Sequence, residues 1–174
     1  MGRTGEEATE DAPVASVVSW TGAEAVHFRF RRRFVTRDGE GAILVDLRAT
    51  GSMWRRDQAK TEGELVDDFE VRLPQAIAAT RALERLRSKL LMWLHDERPF
   101  SELVSPPREP LLELRVEDDG RFAKQPGKPV FTMKYTTQGT VTAETSFVVD
   151  ASCLRLFSQE LAQALAKIGE PVIS

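Results

Sequence analysis

The apolar residues of this chain follow two different periods, and the change of period along the chain predicts its elements. Strict alternation of apolar and polar residues is typical of a strand with one buried face, and it occurs in several short segments. Apolar residues at steps of three, four and seven are typical of an amphipathic helix, and they occur in two segments. The predicted strands cover residues 14–20, 25–36, 42–50, 64–73, 111–117, 129–137 and 140–149, and the predicted helices cover about 75–96 and about 151–168.

The longest helical pattern runs through residues 73–95 and separates two groups of predicted strands. Pro74 suits the first turn of this helix, since its missing N–H has no helical partner there. The helix should end before Pro99, because a residue that precedes proline is pushed out of the α region. Asp150 is the predicted N-cap of the second helix, and Gly169 follows its last turn. The apolar stripe of the first helix consists of Ile77, Leu83, Leu86, Leu90, Trp93 and Leu94.

The connections between these elements indicate the fold class. An Asp-Gly pair at 38–39 and a Gln-Gly pair at 138–139 predict two tight hairpins. Residues 51–63 are polar and charged and predict an exposed loop, while four prolines within 99–110 predict an extended connection without regular structure. Groups of strands separated by single helices favour an α+β fold, with one or more mainly antiparallel sheets of about seven strands. No internal repeat is visible in the sequence.

Composition narrows the class of protein further. The chain has 174 residues and a formal net charge of −3, and residues 1–13 lack any apolar pattern. We therefore expect a disordered tail over 1–13 and a single domain over 14–174. Cys153 is the only cysteine, so no internal disulfide can form, which fits a reducing cytoplasm. No apolar run approaches the roughly 18–20 residues of a membrane span, so we expect no membrane partner. The preference for arginine and alanine over lysine and asparagine suggests a bacterium with a GC-rich genome.

The residues that commonly carry catalysis are few and scattered. The two histidines, His27 and His95, have no local motif that would supply a nucleophile and a carboxylate. Cys153 lies in the first turn of a predicted helix, but a buried and inert thiol is the favoured interpretation. The sequence contains neither a glycine-rich phosphate loop nor a cluster with metal-ligand spacing. We therefore predict a non-enzymatic protein without cofactor or metal, although a deep polar pocket holding either histidine beside a carboxylate would favour catalysis.

Basic residues concentrate in one part of the chain. Between His27 and Lys60, nine basic residues stand against four acidic ones, a surplus of +5 that leaves −8 on the rest of the chain. Such a stripe is typical of a site for phosphate, nucleic acid or an acidic protein surface, but charge also keeps a solvated sheet face or edge soluble. Nucleic acid is the less favoured ligand, because the neighbouring phenylalanines alternate onto the other face and cannot stack on bases. The candidate binding face consists of Arg29, Arg31, Arg33, Arg48 and Arg55.

Several short segments also carry a resemblance in their order along the chain. They are FRFRRRF at 28–34, ILVDLRA at 43–49, MWL at 92–94, EPLLELRV at 109–116, FTMKY at 131–135 and LRLFSQELAQAL at 154–165. In this layout the chain resembles the WapI-type immunity proteins of bacterial contact-dependent toxin systems. The resemblance implies a non-enzymatic cytoplasmic inhibitor that binds a cognate protein toxin. It assigns no toxin-contacting residues, so the alternative of an anion- or nucleic-acid-binding module on the arginine-rich strand stays open.

Overall fold

The computed structural model describes residues 12–55, 64–117 and 129–168. Within these ranges the chain forms eight strands and two helices, which is the α+β class that the periodicity predicts. The elements are β1 (Val14–Val18), β2 (Ala25–Val35), β3 (Gly41–Arg55), β4 (Glu64–Ala79), α1 (Thr80–Asp96), β5 (Phe100–Leu103), β6 (Leu111–Glu117), β7 (Val130–Thr137), β8 (Thr140–Val148) and α2 (Ala151–Lys167).

The strands form two antiparallel sheets of four, each in the order of the chain: β1-β2-β3-β4 and β5-β6-β7-β8. Each sheet is followed by one helix, so the same sequence of elements occurs twice. This repetition lies in the order of elements and not in the residues. Within the described ranges, two backbone hydrogen bonds connect the sheets, from Ala79 N to Val104 O at 2.7 Å and from Trp20 N to Val148 O at 3.1 Å. They join the end of β4 to the segment after β5, and the segment after β1 to the end of β8.

Three predicted boundaries differ from the structure. Helix α1 begins at Thr80 and not near residue 75, because the preceding residues continue β4 and pair with β3 as far as Ala79. Pro74 therefore lies in an edge strand, where its missing N–H is tolerated. Residues 51–55 belong to β3 and not to the exposed loop that the sequence predicts, and residues 56–63 lie outside the described ranges. Strand β5 is one strand more than the seven predicted. It lies within the proline-containing segment 99–110, where the sequence predicts no regular structure.

One hydrophobic core draws on both sheets and both helices. Helix α1 packs on β3, β4 and β5, α2 packs on β1, and the two helices contact each other. Phe28 of β2 lies 5.5 Å from Phe157 of α2 between ring centroids, which identifies the helix-bearing face of the first sheet. Leu83, Leu86 and Leu90 are buried, as the predicted stripe of α1 requires. Full burial of such a side chain contributes roughly 1.5–3 kcal/mol.

Helix α2 begins after Asp150, the N-cap that the sequence predicts. The Asp150 carboxylate caps α2 by accepting a hydrogen bond from Cys153 N at 2.9 Å. Hydrogen bonds from the Ser152 hydroxyl and then from Cys153 N lower the pKa of Asp150 to about 2. Residues 1–11, which include most of the predicted tail, and Gly169 lie outside the described ranges. Neither helix of the described chain has the length and apolar content needed to cross a bilayer.

Candidate functional site

The first sheet has one covered face and one exposed face, and β2 shows both. Val26, Phe28 and Phe30 are buried toward the helices, while Arg29 between the two phenylalanines and Arg31 after them are exposed. The alternation in the sequence therefore predicts the two faces correctly up to Phe30. We call the surface opposite the helices the open face of the first sheet.

A β-bulge after Phe30 changes the phase of β2. Phe30 pairs with Val45, but Arg32 pairs with Leu44, so Arg31 is an extra residue and every later side chain changes face. Arg33 therefore lies opposite the buried Ile43, and its Nη2 donates a hydrogen bond to Leu165 O of α2 at 2.6 Å. A guanidinium is favourable there because the C-terminal end of a helix carries partial negative charge. The prediction that Arg29, Arg31 and Arg33 share one face is therefore wrong for Arg33, whose side chain lies on the helix-covered face and binds α2.

On the open face, cross-strand pairing brings basic side chains into one row. His27 of β2 pairs with Arg48 of β3, and Arg48 pairs with Arg72 of β4. Directly opposite side chains on one face are about 5 Å apart between Cβ atoms, and like charges in such pairs are destabilising. Arg72 is absent from the candidate face predicted from the sequence. Its position between Val71 and Leu73, on the polar phase of the predicted strand 64–73, was the signal that could have identified it.

One carboxylate holds two arginines of this row in place. Glu70 binds Arg48 Nε at 3.1 Å and also forms an ion pair with Arg72. The hydrogen bond from Arg72, followed by the charges of Arg48 and Arg72, lowers the pKa of Glu70. Both guanidiniums are therefore oriented by one acid, although each remains exposed to solvent.

The second carboxylate, Asp46, connects three strands. Its Oδ2 accepts a hydrogen bond from Arg31 Nη1 of β2 at 2.8 Å, and its Oδ1 accepts one from Gln75 N of β4 at 3.0 Å. Gln75 lies in a bulge of β4, because Pro74 and Gln75 together stand opposite Asp46 between the pairs Val45–Ala76 and Leu47–Leu73. Its φ of 62° is in the left-handed region, which is costly for a residue other than glycine. Asp46 thus fixes both Arg31 and the bulge.

Asp46 and the row of His27, Arg48 and Arg72 border a cavity of about 420 Å³ on the open face. This volume is within the range of roughly 300–1,000 Å³ that is typical of ligand pockets. Arg29 is exposed and makes no ion pair with any residue in the described ranges. Guanidinium groups bind carboxylates and phosphates through paired N–H donors, so the arrangement is suited to an anion. The residues that line the cavity are Val14, His27, Arg29, Asp46, Leu47, Arg48, Arg72 and Pro74.

His27 is the residue in this cavity that could take part in proton transfer. Its Nδ1 lies 2.7 Å from Ser16 Oγ, and burial followed by the charge of Arg48 lowers its pKa, so the ring is neutral at pH 7. A Ser-His-Asp triad also needs a carboxylate hydrogen-bonded to the imidazole. Asp46 lines the same cavity, but its described hydrogen bonds go to Arg31 and Gln75. The geometry therefore resembles a binding site more than a triad, and the absence of catalysis stays a prediction.

The remaining candidates lie away from the cavity. Arg55 ends β3, seven residues from Arg48, which corresponds to roughly 24 Å along a strand. The side chain of His95 is 88% exposed at the end of α1. Burial is the largest effect on Cys153 and raises the pKa of its thiol, which agrees with the inert interpretation. Within the described chain, no group of histidine, cysteine and acidic side chains could hold a metal ion.

Comparisons of the chain with protein-family models, with curated proteins and with solved structures found no match.

Proposed function

We propose that this chain is a non-enzymatic protein that captures an acidic surface of a protein partner on the open face of its first sheet. The observation that carries the proposal is the row of His27, Arg48 and Arg72, in which the guanidiniums of Arg48 and Arg72 stand opposite each other and share the single carboxylate of Glu70. Two like charges that share one acid keep a net positive charge, which an anion bound across the row would neutralise. We call Arg29, Arg31, Arg48 and Arg72 the arginine face; these four cations are accompanied by the carboxylates Asp46 and Glu70.

A protein partner accounts for this surface better than nucleic acid does. Asp46 and Glu70 lie between the arginines, where they would repel successive phosphates of a polynucleotide. The described lining of the cavity contains no Phe, Tyr or Trp on which a base could stack. It does contain Val14 and Pro74, and apolar residues beside arginine are common in protein interfaces.

The class of partner that we propose is a bacterial toxin domain, with the chain acting as its immunity protein in the cytoplasm. This step is supported by the resemblance in layout to WapI-type immunity proteins. It is also compatible with the charge pattern, since complementary charge accelerates the encounter between two proteins and selects the partner. The proposal implies that a toxin gene lies beside the gene for this chain.

The test is coexpression of this chain with the toxin encoded beside it. The wild-type chain should rescue growth, and the double reversal Arg29→Glu with Arg48→Glu should abolish rescue and binding in a pull-down at low salt. Arg155→Glu is the matched control, since Arg155 is exposed on α2, which packs on the opposite face of the first sheet. Rescue that survives the double reversal in a folded protein would refute the arginine face as the binding surface, and a gene without a toxin neighbour would contradict the immunity role.

A second candidate function is an anion- or nucleic-acid-binding module, which is favoured by the excess of cations around the cavity. Four arginines and two carboxylates give this set a net charge of +2. In this case the purified protein should bind heparin or RNA, and its affinity should fall steeply with salt as counterions are released. Reversal of Arg29 and Arg31 to glutamate should abolish this retention, whereas a protein that shows no salt-dependent retention does not have this function.

A further inference from the structure

We infer that the cavity on the open face is an anchor subsite for a short extended segment of the partner that carries two carboxylates at alternate positions. This inference depends on the proposed function and specifies which part of the arginine face selects the partner. Three features support it: the available donors of Arg48 and Arg72, the spacing between these arginines and Arg29, and the apolar walls of the cavity.

The first observation concerns donors that remain available. Arg48 and Arg72 each contact Glu70 through Nε. A guanidinium has five N–H donors, of which four are on the two Nη atoms. Within the described chain, these Nη groups of Arg48 and Arg72 have no hydrogen bond to another residue, so Glu70 orients two forks whose outer donors remain exposed. A carboxylate that approaches from solvent can accept from both forks.

The second observation concerns a second anion position at a defined spacing. Arg29 pairs across the sheet with Asp46, so Arg29 and Arg48 are diagonal neighbours on the open face. Diagonal neighbours are about 7–8 Å apart between their Cα atoms. Alternate residues of an extended segment are separated by almost the same distance, about 7 Å, and point to the same side. One carboxylate at Arg48 and Arg72 and another at Arg29 therefore match the pattern acid–any–acid in an extended chain.

The third observation concerns charge and the walls of the cavity. The arginine face has two cations in excess of Asp46 and Glu70, which equals the charge of two ionised carboxylates. Val14 and Pro74 are exposed at the cavity, where they can cover the methylene groups of glutamate side chains. A single phosphate group would fill a small part of 420 Å³ and would leave these apolar walls uncovered.

The experiment uses the full chain and short peptides blocked at both ends. Acetyl-Gly-Glu-Gly-Glu-Gly-amide is titrated while side-chain Nε–Hε and backbone amide signals are followed by NMR at low salt. We expect saturable shifts at Arg29, Arg48 and Arg72, with binding at least about tenfold weaker when both glutamates are replaced by glutamine. A peptide with adjacent glutamates should also bind more weakly, because their side chains point to opposite sides of an extended chain.

Two variants locate the site. Arg29→Gln should weaken peptide binding by about tenfold, since it removes the guanidinium that binds one carboxylate. Arg32→Gln removes the same charge from the same strand outside the cavity and should leave binding within about twofold. Equal weakening by the two variants, equal affinity for the alternate and adjacent peptides, or tighter binding of inorganic phosphate than of the peptide would each overturn the subsite.

These outcomes separate the subsite from the proposed function. If the double reversal of Arg29 and Arg48 abolishes capture of the partner but the alternate peptide does not bind, the subsite is refuted and the arginine face stands. If the peptide binds at the cavity but capture survives the reversal, the proposed function fails on its own test.

Discussion

The buried carboxylate of Glu102 gives the sharpest test of what holds the two halves of the chain together. Glu102 lies in β5 with 6% of its side chain exposed. Its carboxylate accepts hydrogen bonds from Arg85 Nε at 2.8 Å and from Lys89 Nζ at 2.6 Å, both on α1. Lys89 Nζ also donates to Ser101 O at 3.0 Å. The helix that follows the first sheet is therefore joined to the first strand of the second sheet by one acid and two cations.

Neutralising the acid of this ion cluster and neutralising its two cations should lower the free energy of unfolding by different amounts. The side chains of Arg85 and Lys89 are 57% and 38% exposed, so water can solvate them after Glu102 is neutralised. We therefore expect Glu102→Gln to lower the free energy of unfolding by about 1–2 kcal/mol, because charge-assisted hydrogen bonds are lost but no buried ion remains. The double variant Arg85→Met with Lys89→Met leaves a buried carboxylate without a counterion and should cost about 3–5 kcal/mol.

Urea unfolding at pH 7 measures both values, and thermal unfolding checks them at about 2–4 °C for each kcal/mol in a chain of this size. Arg81→Gln is the control, since Arg81 is exposed on the same helix and should change stability by less than about 0.5 kcal/mol. If Glu102→Gln destabilises the protein as much as the double variant does, the argument that the buried acid carries the cost is refuted.

Three further predictions concern single residues of the fold and the cavity. Asp150→Ala should lower the free energy of unfolding by about 1 kcal/mol in urea unfolding. The folded pKa of Asp150 is about 2 against an ordinary 3.8, so the greater stability of the wild type should be complete above pH 4 and should vanish as the pH falls through 2. Arg33→Ala should cost about 1 kcal/mol by losing the bond to Leu165 O, yet leave partner binding unchanged in the same pull-down. For His27, whose folded pKa is below 6.5, stability should rise with pH up to about 6.5, and His27→Gln should flatten that rise; an unchanged slope would contradict the burial of the ring beside Arg48.

The sequence by itself determined the features that depend on local period and local chemistry. The alternation around Phe28 and the helical stripe around Leu86 predict the α+β class, since each period fixes which side chains can share a buried face. The Gln-Gly pair at 138–139 predicts its hairpin because both residues adopt a positive φ there. Asp150 predicts the start of α2 because capping involves only neighbouring residues.

Tertiary structure decided the features that depend on pairing between distant residues. Helix α1 starts at Thr80 because pairing with β3 holds the preceding residues in β4, and β5 forms because β6 provides a partner strand. The bulge at Arg31 separates Arg33 from Arg29, and the register of β4 adds Arg72 to the site. A shift of one residue in register moves a side chain to the opposite face, and the break in alternation at Arg32 does not by itself show which residue is the extra one. The arginine stripe can therefore be predicted from the sequence, whereas the cavity that its arginines line depends on the pairing of strands in the tertiary structure.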